Sequence, residues 1–125
     1  MTTRGFCHLN LHTDRSQYVG LIKPEQLADW GKRTGLSAVA VTDHGNISVA
    51  VELQKVCKKY HLKPIYGMEI CLCLDKTKRE RGGDNLILLA VNNAGFSNLI
   101  TRTTISNMYF YYRPRLDLTD LAKYG

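Results

Sequence analysis

At 125 residues, 44% of them hydrophobic, the chain has room for one domain with a buried core and is too apolar for wholesale disorder. Seventeen basic against eleven acidic side chains leave a net charge of +6, which suits contact with nucleic acid, phosphate or an acidic protein without choosing among them. No run reaches transmembrane length and no cleavable apolar leader opens the sequence, so a cytoplasmic protein is expected rather than a secreted or membrane-spanning one.

In chain order, residues 6–11 read as a short strand with polar residues on alternate positions. Lys23-Pro24-Glu25 then opens a helix, with proline in the first turn and an acid near the N-terminus. Leu27, Trp30 and Leu36 supply its apolar side, and Gly35 is placed to stop it. The β-branched run at 38–42 is a second strand. Val49, Leu53, Val56 and Tyr60 recur at helical spacing over 47–60, and His61 falls at that helix end on the surface. A third strand is expected at 64–74, bent at Gly67.

Residues 79–84 form a charged turn, with Gly82-Gly83 as a mobile tip. The basic run 76–81 reads as a solvated loop. The continuous apolar run at 86–91 suits a strand buried on both faces. Phe96, Leu99, Ile100 and Thr103 line one side of a further helix, and a last short helix follows at 118–123. The aromatic, basic stretch 109–115 between them is expected to pack against the next element, although such a stretch can also stack on bases or grip phosphate. Alternation of this kind predicts an α/β fold with parallel strands, flanking helices and crossover connections. Four or so βα units cannot close a barrel, which needs on the order of 250 residues. Residues 1–125 therefore read as part of one, whose sheet edge needs a cover.

Cys7, Cys57, Cys71 and Cys73 show no disulfide framework, and Cys71 and Cys73 read as core thiols on one strand face. Chemistry in such folds gathers where strands end. The strand ends here offer a histidine, then Asp43 and His44, then Glu69, a donor set suited to a metal. Asp43 has two readings: ligand or orienting partner of a histidine, and turn residue or helix cap. No triad of carboxylates for nucleotidyl transfer and no nucleophile–base pair is evident.

The blocks Phe6-Cys7-His8-Leu9-Asn10-Leu11-His12-Thr13, Ala38 through Asn46, Lys63 through Glu69, Leu86 through Ala90 and Phe110 through Asp117 occur in order along the chain. In that order they resemble the PHP (polymerase and histidinol phosphatase) domain of the bacterial replicative DNA polymerase III alpha subunit, and the last block resembles the polymerase branch. The resemblance implies a partial, distorted barrel of the seven-unit (β/α) type and the N-terminal part of a DNA-directed DNA polymerase, a nucleotidyltransferase whose polymerisation lies elsewhere. It further implies metal ligands at 10, 12, 19, 44, 69, 85 and near 107.

This chain has Asn10, His12, Val19, His44, Glu69, Asn85 and Asn107 there, so His12, His44 and Glu69 are the residual candidate ligands. Asparagine brings no charge to hold a cation and valine cannot ligate at all. His8 lies one step too far from the strand end to replace a missing ligand. The expected role is a replication scaffold and docking surface without a cofactor. If an ion is bound, Zn, Mn or Mg would sit at the residual site. Partners implied are the remainder of a polymerase, or a chain completing the barrel, and a proofreading exonuclease subunit, with any DNA contact indirect. The alternatives are an active metal-dependent phosphoesterase or 3′–5′ exonuclease, with Lewis-acid activation of the attacking water, and a stand-alone PHP-like protein that occupies a replisome surface.

Overall fold

The computed structural model describes residues 5–124; the ends of the expected 1–125 unit, residues 1–4 and Gly125, lie outside the described residues. The order is α1 (Pro24–Arg33), β1 (Ala38–His44), α2 (Ala50–Tyr60), β2 (Lys63–Leu72), β3 (Asp84–Leu89), α3 (Asn93–Met108), β4 (Arg115–Leu116) and α4 (Leu118–Lys123). Helix α1 starts on Pro24, whose missing N–H costs nothing in the first turn. The Gln26 side chain accepts from the Lys23 N–H, Lys32 and Arg33 face the negative end of the helix, and Gly35 takes φ +77° just past Thr34. Helix α2 begins three residues later than its periodicity predicts. The Asn46 side chain accepts from Ser48 N–H and Oγ, which holds 46–49 as a turn. His61 ends α2 in the left-handed region, exposed at the surface.

β1 and β2 pair in parallel, Ala38 beside Lys63 through His44 beside Glu69. Period-two geometry then sorts their side chains. Val39, Val41, Tyr66, Met68 and Ile70 leave one face, and Thr42, His44, Glu69 and Cys71 the other. The first face is covered by helices. Leu27 and Ala28 of α1 and Leu53, Val56 and Cys57 of α2 pack with Val39 and Val41; Met68 and Ile70 pack with Leu99 of α3 and Leu116 of β4. The mixed α/β architecture with a parallel-leaning sheet is therefore as the sequence predicts.

Several details differ. Residues 6–11 form no strand: Thr42 N–H donates to Leu11 O at 2.8 Å and Thr42 Oγ1 accepts from Leu11 N–H at 3.0 Å, but Phe6 and Leu9 stay exposed with no neighbour to continue a ladder. β3 runs antiparallel to β2, Gly67 beside Leu89 through Leu72 beside Asp84, and its apolar residues are half-buried rather than enclosed. An apolar run reports burial and is silent on direction; the 73–83 connection carries no helix to reverse the chain, so it closes a hairpin. β4, which the sequence reading does not foresee, is two residues long and adds in parallel to Cys71 and Leu72, beyond the point where β1 stops. β2 likewise ends at Leu72, so Cys73 lies past the strand and is half-buried beside Leu116 O. All four thiols are free, Cys57 and Cys71 buried. Trp30, on the apolar side of α1, is only partly covered and sits against His8, ring centroids 5.8 Å apart.

The 76–81 run is not uniformly solvated. Lys76 pairs with Asp117 (3.3 Å) and Asp120 (2.8 Å), and buried Arg115 donates to the carbonyls of Lys76, Lys78 and Tyr109. These bonds tie the β2–β3 connection to residues 115–117, which are buried; the aromatic stretch before them does not pack away as expected, since Phe110 and Tyr112 stay exposed. Gly83 is no free tip either, since a Cβ there would lie 2.7 Å from Cys71 Sγ and Leu72 O.

Candidate metal centre

His44 is the last residue of β1, Glu69 is its registered partner on β2, and His12 arrives from the irregular N-terminal segment. His12 Nε2 lies 2.7 Å from Glu69 Oε2, with the imidazole N–H donating to the carboxylate. His44 Nδ1 is 3.7 Å from Glu69 Oε1, and the two imidazole centroids are 4.4 Å apart. One ligand atom from each of the three residues falls within 4.8 Å of the others, so they form a cluster that could hold a metal. Donors around a tetrahedral ion stand about 3.3 Å apart given ligand distances near 2.0–2.1 Å. Small side-chain shifts would bring this triangle to that size. Glu69 is 5% exposed and His44 36%, so the cluster opens to solvent on the His44 side.

Asp43 faces away from this triangle. It is fully buried, and it accepts from Thr13 N–H (2.6 Å), Thr13 Oγ1 (2.7 Å) and Ser16 Oγ (2.7 Å). Ser16 Oγ in turn accepts from His44 N–H at 3.0 Å. The carboxylate thus anchors the 13–16 turn to the end of β1, which sets the height at which His12 enters. No hydrogen bond joins it to His12 among the described residues, and the cap position of α2 belongs to Val49. Thr13 and Ser16 escape a reading focused on metal-ligand types; the signal available was two hydroxyl residues three apart immediately after His12.

Gly20 closes the same turn. A Cβ there would sit 2.1 Å from Thr13 O, so only glycine fits. Gly45 matters in the same way on the far side: its φ is +60°, its N–H donates to Glu69 O at 2.8 Å, and a Cβ would meet Pro114 Cγ at 2.6 Å.

The remaining positions singled out in the sequence surround the cluster without joining it. Asn10 Oδ1 accepts from Thr42 Oγ1 at 3.3 Å. Asn107 Nδ2 donates to Gly45 O at 3.1 Å and to Thr103 O. Val19 and Asn85 line a cavity of about 210 Å³ together with His44, Glu69, Cys71 and Arg113. Cys71 and Arg113 were not foreseen as part of this space. Strand period places Cys71 on the face of Glu69, whereas Arg113 arrives through tertiary packing. His8 is exposed and meets Phe6 edge-on and Trp30 at a tilt, away from the cluster. No helix among the described residues is long and apolar enough to cross a membrane.

Residues 8–125 match the family described as PHP domain. The chain is 39% identical over 127 residues to the DNA polymerase III subunit alpha of Borreliella burgdorferi, covering 96% of this chain and 11% of that protein. It is 36% identical over 135 residues to the subunit of the same name from Aquifex aeolicus, covering 98% of the chain and 12% of the relative. The chain thus spans about a tenth of the length of the curated relatives it matches. Among solved structures, an amidohydrolase from Chromobacterium violaceum with bound sulfate and no metal superposes with TM-score 0.56 at 17% identity, over 77% of this chain and 32% of its own. A candidate metal-dependent phosphoesterase from Bifidobacterium adolescentis gives TM-score 0.57 at 19% identity, over 82% and 34%. These last two likenesses concern the fold. The family match and the sequence identity to the polymerase subunits agree on the relationship: this chain belongs to the PHP domain family and is homologous to part of the DNA polymerase III alpha subunit.

Proposed function

We propose that this chain is the PHP module of a cytoplasmic replicative polymerase of the alpha-subunit type, acting as scaffold and docking surface with a site reduced below hydrolytic competence. One observation carries this reading: Glu69 is the lone carboxylate of the cluster, and it is already engaged by His12 at 2.7 Å. Val19 and Asn85 line its cavity and Asn107 bonds to the adjacent Gly45, so among the described residues no second carboxylate joins the cluster to bridge a second ion. The four free thiols support a reducing compartment.

The residues fit a single ion better than a cluster. Two imidazole nitrogens and one carboxylate oxygen are a known three-ligand set for Zn, and would also suit Mn; Mg, which prefers oxygen, suits it less. When bound, such an ion would supply Lewis acidity toward a phosphoryl oxygen. To ligate, His12 would have to carry its proton on Nδ1, so that the Nε2 lone pair faces the ion in place of the hydrogen bond now donated to Glu69. The convergence of three ligand atoms within 4.8 Å favours, as second reading, a mononuclear phosphoesterase or 3′–5′ exonuclease.

Metal analysis after gel filtration, with Zn or Mn supplied beforehand, separates the two. The scaffold reading expects substoichiometric metal and no phosphodiesterase or 3′-exonuclease activity above background. One retained ion per chain, with hydrolysis that His44→Ala abolishes, would replace it by the enzyme reading. Docking predicts co-elution with the remaining alpha-subunit domains or with a proofreading exonuclease subunit, and the barrel-completing partner would cover the open side of β3.

A further inference from the structure

The segment 109–113 presents aromatic and cationic groups to solvent beside the cavity just described. Phe110 is 59% and Tyr112 64% exposed, so both rings are open to a ligand. Tyr112 sits in the left-handed region at φ +62°, a conformation that a bulky residue rarely adopts. The backbone closes on itself there, Tyr111 N–H donating to Arg113 O at 3.1 Å, so the ring is held out at a tight tip. Arg81 crosses from the β2–β3 connection and lays its guanidinium over the Tyr112 ring, 3.7 Å from the centroid. Tyr111 meets Tyr112 edge-on at 4.8 Å.

Charge points the same way. Arg81 lies over Tyr112 and Arg113 lines the cavity beside it, while Lys78 and Arg79 precede Arg81 in the chain among Glu80 and Asp84. Arg113 reaches only neutral oxygens among the described residues, Asn85 Oδ1 at 3.5 Å and Gly83 O at 3.4 Å, both long for a guanidinium. Its charge is therefore available to an anion, and it lines the cavity that contains His44 and Glu69.

We infer that this rim binds single-stranded nucleic acid directly, with a base stacked on the Arg81–Tyr112 pair, a second near Phe110, and a backbone phosphate on Arg113. Planar cation–aromatic stacks accept any base face, and nearby guanidiniums follow the phosphates, which is how non-sequence-specific single-strand sites are built. An acidic polypeptide would satisfy the charge but gain little from an exposed aromatic tip held at φ +62°.

The test is fluorescence anisotropy of a short oligothymidylate with the protein at low salt and in EDTA, so that its result is independent of whether a metal is held at His12, His44 and Glu69. Binding is expected, with affinity falling with salt as about one phosphate's worth of counterion release requires. Tyr112→Ala and Arg81→Gln should each weaken it about tenfold, in the range measured for single stacking groups. Tyr112→Phe should retain it, and Lys55→Ala with Lys58→Ala on exposed α2 should leave it unchanged. If Tyr112→Ala fails to fold by circular dichroism, Arg81→Gln, altered at a solvent-exposed side chain, decides the matter. Absence of binding, an abasic oligomer binding as tightly as the thymidylate, or polyglutamate displacing it at equal charge would each overturn the inference.

Discussion

Val39, Val41, Met68 and Ile70 leave one face of the sheet, while Thr42, His44, Glu69 and Cys71 leave the other, one residue away along the same two strands. The first face is covered by three helices and carries the buried apolar core, with Asp43 at its end. The second carries polar groups, ends in a cavity, and is flanked on β3 by the half-buried Ile87 and Leu89. Stability and chemistry are thus divided by side-chain parity rather than by region of chain, so a substitution's consequence should depend on its parity.

That division can be broken most directly on the sealed side. Leu53→Ala, at a side chain with no exposed area, is expected to cost about 3–4 kcal/mol in urea unfolding. A loss below about 1 kcal/mol, the level of a surface change, would mean that the helical face is not the stabilising one.

Asp43 is next. Asp43→Asn removes the charge that Thr13 and Ser16 donate to, at a cost of about 2–3 kcal/mol. Because it also frees the 13–16 turn, the His12 imidazole resonances should shift and broaden in NMR. Unchanged His12 signals would show that the turn does not position that ring.

The C-terminal polar lock gives a pH signature. Burial works against the Asp117 charge, but the Thr119 hydroxyl, the Lys76 ammonium and the Asp120 N–H outweigh it and bring its pKa down to about 2. A depressed carboxylate stabilises the fold in full above its unfolded value near 3.9 and loses that stabilisation as pH falls toward 2. The contribution is on the order of 2 kcal/mol, and Asp117→Asn should flatten the stability profile between about pH 5 and pH 2 by that amount. A wild-type profile already flat across that window would contradict the lock.

The smallest effect belongs to the open face. Ile87→Ala should cost only about 1 kcal/mol, since its side chain is half-exposed already. A cost equal to that of Leu53→Ala would erase the contrast between the faces.

How much of this was legible in the sequence varies by residue. Pro24 and Gly35 bracket α1 as chain punctuation predicts, and 118–123 is a helix to the residue, since Asp117 caps it and accepts from Thr119 N–H and Asp120 N–H. The strands expected at 38–42 and 64–74 are found at 38–44 and 63–72, the first of them marked by a short apolar, β-branched run. Direction did not, because Leu86 through Leu89 look alike in a parallel and an antiparallel strand. Residues 6–11 have a strand-like sequence but no backbone to pair with beyond Leu11, and pairing is a tertiary fact. In the site, His44 and Glu69 were visible by type and strand-end position, and His12 by type, since the strand expected before it does not form. Arg113, Ser16 and the true partners of Asp43 were not, since they meet over sequence gaps that carry no periodic signal.

The attachment of the first segment has a further consequence. His12 is delivered by a stretch that shares no ladder with the sheet and is held chiefly by Leu11–Thr42 contacts and the Asp43 anchor. Such a stretch can detach as a sub-global unit at a free energy well below that of complete unfolding, and amide exchange at Leu11 and Thr13 would report it long before exchange at Val41 or Met68. During each opening, His44 and Glu69 stay registered on their strands while the third donor is gone. The lifetime of the assembled triangle is then governed by a turn of four residues and not by the domain that surrounds it.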